Sequence, residues 1–214
     1  MVRVKYMGML QQLNDEVTAM GALTQSAISN SVKILKTGNV SLIEEALGYE
    51  EEINEKEKAI ETLCMKLILH QHPMAEDLRF VSSVMKIVTD MERIGDNALD
   101  IAKISQKLYG KGFVFEPNGI MKMAEETIKM VGDSISAYIA KDMEKLDTVI
   151  ENDDVVDDLF DKFMDDSSEN LAKKQKNIFD QMELLLIAKY FEKIGDHAVT
   201  IAEWGKFVIT GEKN

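Results

Sequence analysis

DMERIGDNALDIA at residues 90–102 and YFEKIGDHAVTIA at residues 190–202 are one stretch written twice. Glu, Ile, Gly, Asp, Ala, Ile and Ala are identical at seven aligned positions, each 100 residues from its copy. Identity this dense within one chain marks an internal duplication. Conservation of a packing face accounts for Ile94, Ala98, Ile101 and Ala102. It does not account for the acids Glu92, Asp96, Glu192 and Asp196, which are polar yet duplicated with equal fidelity.

Outward from this repeat the chain reads as helix almost throughout. In 214 residues there are only 2 Pro and 12 Gly, so breakers are rare. Met is abundant at 14 and aromatics are scarce at 7%, a composition suited to helix packing more than to sheets. Periodicity and breakers predict six helices, at about 3–36, 41–70, 74–109, 120–140, 142–173 and 178–208. Gly38 stops the first, Ser41 and Glu44 suggest a capping box on the second, and Asp142 caps the fifth. Pro73 separates helices two and three. GKGFVFEPNG at 110–119 is the clearest linker. The expected architecture is all-α, with two tandem three-helix bundles at residues 1–109 and 120–214.

The formal net charge is −13, which argues against nucleic acid and anionic lipid as direct partners. A lone cysteine, Cys64, allows no internal disulfide and fits a reducing compartment. No apolar run reaches the roughly 18 residues needed to span a bilayer. The N-terminal stretch turns polar too early for a secretory signal. A cytoplasmic protein without direct membrane insertion is expected.

The duplicated acids are spaced i,i+4, which stacks them on one helix face and costs a few tenths of a kcal/mol in an isolated helix. Two similar pairs, Glu50/Asn54 and Asp153/Asp157, lie on the preceding helices. If helices two and three form an antiparallel hairpin, Asn54 with Glu92, and Glu50 with Asp96, are both centred on residue 73, the expected turn. Asp157 with Glu192, and Asp153 with Asp196, centre between Lys174 and Gln175, in a polar segment. Each half therefore gathers four oxygen-bearing side chains at one level, about 28 Å from its turn. Such a set suits hard cations or iron. The plain alternative is a solvated acidic face.

The chain resembles the PhoU family. The resemblance is carried by HPMAEDLRFVSSVMKIVTDMERIGDNALDIA in the first half and LLLIAKYFEKIGDHAVTIAE in the second. The family's Glu/Asp-x-x-x-Asp pattern falls on Glu92/Asp96, Glu192/Asp196, Glu50/Asn54 and Asp153/Asp157. The resemblance implies a multinuclear metal cluster on each repeat, iron foremost, with zinc, magnesium or manganese as alternatives. It further implies a negative regulator of phosphate uptake and signalling that links the phosphate ABC transporter ATPase to a sensor histidine kinase. A homodimer is compatible with it. Asn54 departs from the pattern, where Asp is usual. Being neutral, it should weaken the first site relative to the second.

Other residues are set aside. His197 lies about 100° round the helix from Asp196. His70 and His72 flank a turn and read as surface residues. Arg79 is expected to pair with Glu76 or the linker. Gly95 and Gly195 suggest close helix approach beside the acids, and Cys64 and Trp204 suggest packing. There is no Gly-rich phosphate loop, nucleophile elbow or Cys–His pairing, and none of the three histidines follows a Glu at i−3. An enzyme is not expected. The competing readings are an accessory subunit of a different phosphate transporter and a metal-free structural adaptor.

Overall fold

The computed structural model describes residues 2–70, 74–115, 119–173 and 177–212, excluding the side chains of residues 2–5 and 70. Among them there is no strand. The helices are α1 (Val2–Thr37), α2 (Ile43–His70), α3 (Ala75–Tyr109), α4 (Gly119–Ala140), α5 (Met143–Glu151), α6 (Asp153–Ala172) and α7 (Ile178–Thr210), with a short 3₁₀ turn at Val40–Leu42. The turns expected at residues 70–73 and 174–175 lie outside the described residues, apart from His70, the last residue of α2. His72 and Pro117 also lie outside them.

Two local readings are corrected. The expected fifth helix is broken at Asn152 into α5 and α6. Asn152 keeps helical dihedrals (φ −71°, ψ −12°), so the axis is interrupted without reversing. Asn competes for backbone hydrogen bonds, and Asp153 and Asp154 gain by standing in a first turn, where the helix dipole favours anions. The cap before α2 is Asn39, not Ser41. Its Oδ1 accepts from the Ser41 backbone N–H at 3.2 Å and from the Ser41 hydroxyl at 2.6 Å. The inserted 3₁₀ turn moves the cap two residues back. Two expectations hold. Gly38 closes α1 with φ +67°, a region glycine enters without penalty. Asp142 caps α5 by accepting from the Lys145 N–H at 3.1 Å.

In the first half α1, α2 and α3 pack on one another, and in the second α4, α5, α6 and α7 do the same. The halves meet along α3 and α7 and along α1 and α4. The α3–α7 seam is antiparallel, because Asp90 meets His197, Asp100 meets Tyr190 and Lys107 pairs with Glu183. Between α1 and α4, a Cβ at Gly21 would stand 2.8 Å from Ile135 Cγ2, so only glycine permits this approach without rearrangement. One continuous apolar cluster runs through both repeats. It contains Ile53, Met91 and Ile94 from one, and Met130, Val156, Phe191 and Ile194 from the other. Phe191 and the duplicated Ile94 and Ile194 are wholly buried, each contributing about 1.5–3 kcal/mol of hydrophobic stabilisation. Cys64 belongs to the same core, and burial pushes its thiol up to about 12, which leaves it unreactive.

Candidate cation site

The apolar faces of α2 and α6 set the register of the acids. Ile53, just before Asn54, is fully buried, as is Val156, just before Asp157. Each packs toward a duplicated glycine. A Cβ at Gly95 would stand 2.9 Å from Ile53 Cδ1, and one at Gly195 would stand 3.2 Å from Asp153 Oδ1 and 3.7 Å from Val156 Cγ1. The glycines thus let α2 and α6 close on α3 and α7 at the level of the acids, as expected. The observed register sets Gly95 opposite Ile53, and Gly195 opposite Asp153 and Val156.

In the second half, Asp153 is partly buried in α6 and faces α7. Burial, followed by the nearby charges of Asp157, Asp196 and Glu192, raises its carboxyl to about 6. Asp157 is raised by burial and then by Glu192 and Asp196. The four expected residues therefore share one electrostatic neighbourhood. Two lysines partly offset the repulsion. Lys189 Nζ lies 2.6 Å from Glu192 Oε1, and Lys193 pairs with Asp196 and stands 3.4 Å from Glu192 Oε2. Glu192 Oε2 is buried without a hydrogen-bond partner.

The first half repeats the arrangement. Burial raises Glu92, with Asp96, Glu57 and Glu50 adding and Arg93 opposing. Burial also raises Asp96, with Glu50 and Asp100 adding and Lys103 opposing. Asn54 donates through Nδ2 to Glu50 Oε1 at 2.6 Å, leaving its Oδ1 buried and unpartnered.

The sequence reading missed Glu57. It lies seven residues beyond Glu50 and three beyond Asn54, on the same face of α2. Burial raises its carboxyl, and Glu61 and Asp96 add to the shift. With Glu57 the first cluster also holds four carboxylates, so the neutral Asn54 does not leave it poorer in charge. Phe160 stands at the corresponding place in the second half, where Lys189 Nζ lies 5.2 Å from its ring centre.

The donors in both clusters are oxygens, and each cluster presents one buried oxygen that accepts no hydrogen bond, Asn54 Oδ1 in the first and Glu192 Oε2, facing Lys193 at 3.4 Å, in the second. This chemistry fits a hard cation. Among the described residues, no three His, Cys, Asp or Glu side chains converge closely enough to hold an ion. Binding one would require rotamer changes, which these surface-facing carboxylates permit. His197 is engaged elsewhere, with Nδ1 2.9 Å from Asp90 Oδ1 across the α3–α7 seam. Among the described residues Arg79 forms no ion pair with Glu76. Its guanidinium lies against Gly211 at the end of α7, where the helix dipole favours a cation.

No helix among the described residues is long and apolar enough to cross a membrane. The PhoU domain family model matches residues 17–105 and again 120–205, the two halves of the duplication. The chain is 30% identical over 205 residues to the phosphate-specific transport system accessory protein PhoU homolog of Clostridium acetobutylicum, covering 95% of this chain and 94% of that one. It is 28% identical to the protein of the same description in Borreliella burgdorferi, covering 100% and 98%. The crystal structure of PhoU from Pseudomonas aeruginosa superposes with a TM-score of 0.92 at 25% identity, covering 97% of this chain and 100% of that chain. The phosphate transport system regulatory protein PhoU from Streptococcus pneumoniae shares the fold, with a TM-score of 0.89 at 23% identity and coverage of 100% and 99%. A duplicated helical unit with its acids in register, matched twice by the PhoU domain over most of its length, makes this chain a member of the PhoU family.

Proposed function

We propose that this protein is a metal-binding regulator of phosphate homeostasis, acting in the cytoplasm and not as an enzyme. In this reading it restrains phosphate uptake and signalling by linking a phosphate ABC transporter ATPase to a sensor histidine kinase. The relatives' description as accessory proteins of phosphate-specific transport supports the association with transport machinery. The observation that carries the metal reading is the pair of carboxylate clusters at equivalent places in the duplication. Each has carboxyls raised by burial and by their neighbours' charge, and the first also holds the buried Asn54 Oδ1 without a hydrogen-bond partner. Repulsion retained twice over is a cost that a bound cation removes.

Glu50, Asn54, Glu92 and Asp96, with Glu57, would hold metal in the first repeat. Asp153, Asp157, Glu192 and Asp196 would hold it in the second. A metal there neutralises the clustered charge and ties α2 to α3 and α6 to α7. All-oxygen ligation is compatible with iron and equally with magnesium or manganese, while zinc more often takes nitrogen or sulfur ligands.

The test is elemental analysis of protein purified without an affinity tag or chelator. Glu92→Gln/Asp96→Asn and Glu192→Gln/Asp196→Asn variants are compared in the same way, and a phosphate-starvation reporter is followed in cells carrying each. Stoichiometric metal lost in the variants, together with a derepressed reporter, is expected. Metal-free wild-type protein with normal repression would leave the acids as a protein-docking face and the chain as a structural adaptor.

A further inference from the structure

The α3–α7 seam holds a groove of about 420 Å³ that shares Asp196 and Lys193 with the second acid cluster and is otherwise lined by residues outside both clusters. Its walls carry three fixed cations, Lys86, Arg93 and Lys193, against two carboxylates, Asp90 and Asp196. In a chain of net charge −13 this is a local reversal of sign. Asp90 is already engaged by His197 and Asp196 by Lys193. Among the described residues Lys86 and Arg93 form no ion pair, although Arg93 feels Glu92 at longer range.

Several groove residues differ between the repeats. Position by position, Lys86 corresponds to Leu186, Asp90 to Tyr190, His197 to Asn97, Thr200 to Asp100 and Trp204 to Ile104. Thr89 corresponds to Lys189, and Arg93 and Lys193 correspond to each other, so the equivalent positions across the seam keep three fixed cations while exchanging the histidine and the tryptophan. The acids that flank the seam are meanwhile kept in both repeats.

We propose that this groove binds free inorganic phosphate. Arg93 offers the planar donor fork suited to a tetrahedral oxyanion, and Lys86 adds a second positive charge. Asp90 accepts from His197 Nδ1, which fixes the proton there and leaves Nε2 for another partner. His197 Nε2, its lone pair left free by the Nδ1 contact, can accept a hydrogen bond from the hydroxyl of a hydrogen phosphate ion. Sulfate has no such hydroxyl to donate. The groove therefore discriminates between the two ions by hydrogen bonding.

Trp204, the only tryptophan, lines the groove and gives a direct readout. The full chain, treated with chelator so that metal at the acid clusters plays no part, is titrated with inorganic phosphate against chloride of equal ionic strength. A saturable change in Trp204 emission is expected. Arg93→Gln should weaken binding about tenfold or more and Lys86→Gln by several-fold, each with an unchanged circular dichroism spectrum. Lys129→Gln, on the exposed face of α4, should bind as wild type does. The proposal is overturned if phosphate gives no saturable change, if Arg93→Gln binds like wild type, or if sulfate binds as tightly. A phosphate monoester such as glycerol phosphate binding more tightly than the free ion would overturn the assignment to inorganic phosphate.

Discussion

A Cβ at Gly195 would stand 3.2 Å from Oδ1 of Asp153, whereas its counterpart at Gly95 would stand 2.9 Å from Cδ1 of Ile53. The same glycine in the two repeats therefore makes room for different things: a partly exposed carboxylate in one case and a fully buried methyl in the other. Alanine gains about 0.5–1 kcal/mol of helix propensity at either position. At Gly195 the carboxylate can turn aside, so Gly195→Ala should be neutral or slightly stabilising in chelator. At Gly95 the buried isoleucine must shift, and overpacking costs about 1–3 kcal/mol, so Gly95→Ala should be destabilising by about 1 kcal/mol. Denaturant melts of both variants check the difference.

The raised carboxyl of Asp153 has a definite consequence for pH. Its folded-state value of about 6 exceeds the unfolded value of 3.8, so between these limits the native state holds more protons than the unfolded one. Stability of the metal-free protein must then fall as pH rises through this window. Glu57, Glu92, Asp96 and Asp157 are shifted in the same direction and add to the trend. Asp153→Asn should stabilise the metal-free protein by on the order of 1 kcal/mol at pH 7, allowing for solvent screening, and flatten its pH dependence. Melts from pH 5 to 8 in chelator would show the reverse slope if Asp153 were instead paired and stabilising.

Counting charge from the sequence alone favours the second metal site, because Asn54 replaces an acid. The structure brings Glu57 into the first cluster and two lysines into the second. The two sites are therefore expected to hold metal comparably. Glu57→Gln should release metal from the first site about as effectively as Asp157→Asn does from the second. Metal titration of the two single variants decides it, and a Glu57→Gln protein with full metal content would remove Glu57 from the ligand set.

Asp90 and His197 form a contact between the repeats, 2.9 Å long and mostly shielded from water. Removing the histidine leaves a buried carboxylate with no partner, so His197→Ala should cost about 2–3 kcal/mol. Asp90→Asn, which can still accept a hydrogen bond, should cost less than half of that. Chemical denaturation of both single variants and the double variant measures the coupling. An additive cycle would show that the two side chains do not stabilise one another.

Much of the fold could be read from the letters because helix breakers are so scarce. Gly38 and Asp142 act where the sequence placed them, and the duplicated motif reveals its own register. The break at Asn152 could not be read, since Asn is tolerated within a helix and the apolar period continues past it on both sides. Asn39 displaced Ser41 as cap because the 3₁₀ turn at Val40–Leu42, which takes in Ser41, has no distinctive sequence. At the candidate site, the i,i+4 acids were legible as a pattern. Glu57 was not, because it sits in EKEKAIE, where charges alternate as on any solvated helix face. The counter-charges Lys189 and Lys193 stand three residues before Glu192 and Asp196 on α7, a spacing that was legible and was passed over, whereas the Asp90–His197 contact depends on tertiary packing of helices that the sequence does not pair.

The single core shared by both repeats bears on how the molecule could be divided. Ile94 and Phe191 belong to one apolar cluster although the linker at 110–119 lies between them. A chain nicked in that linker should stay assembled and keep its melting behaviour, since nothing in the core depends on the covalent join. Either half made alone would leave the seam face of α3 or α7 bare to water and should aggregate or pair with itself. Mixing the separately made halves should then regenerate the native spectrum, which would make the protein its own two-part complementation system.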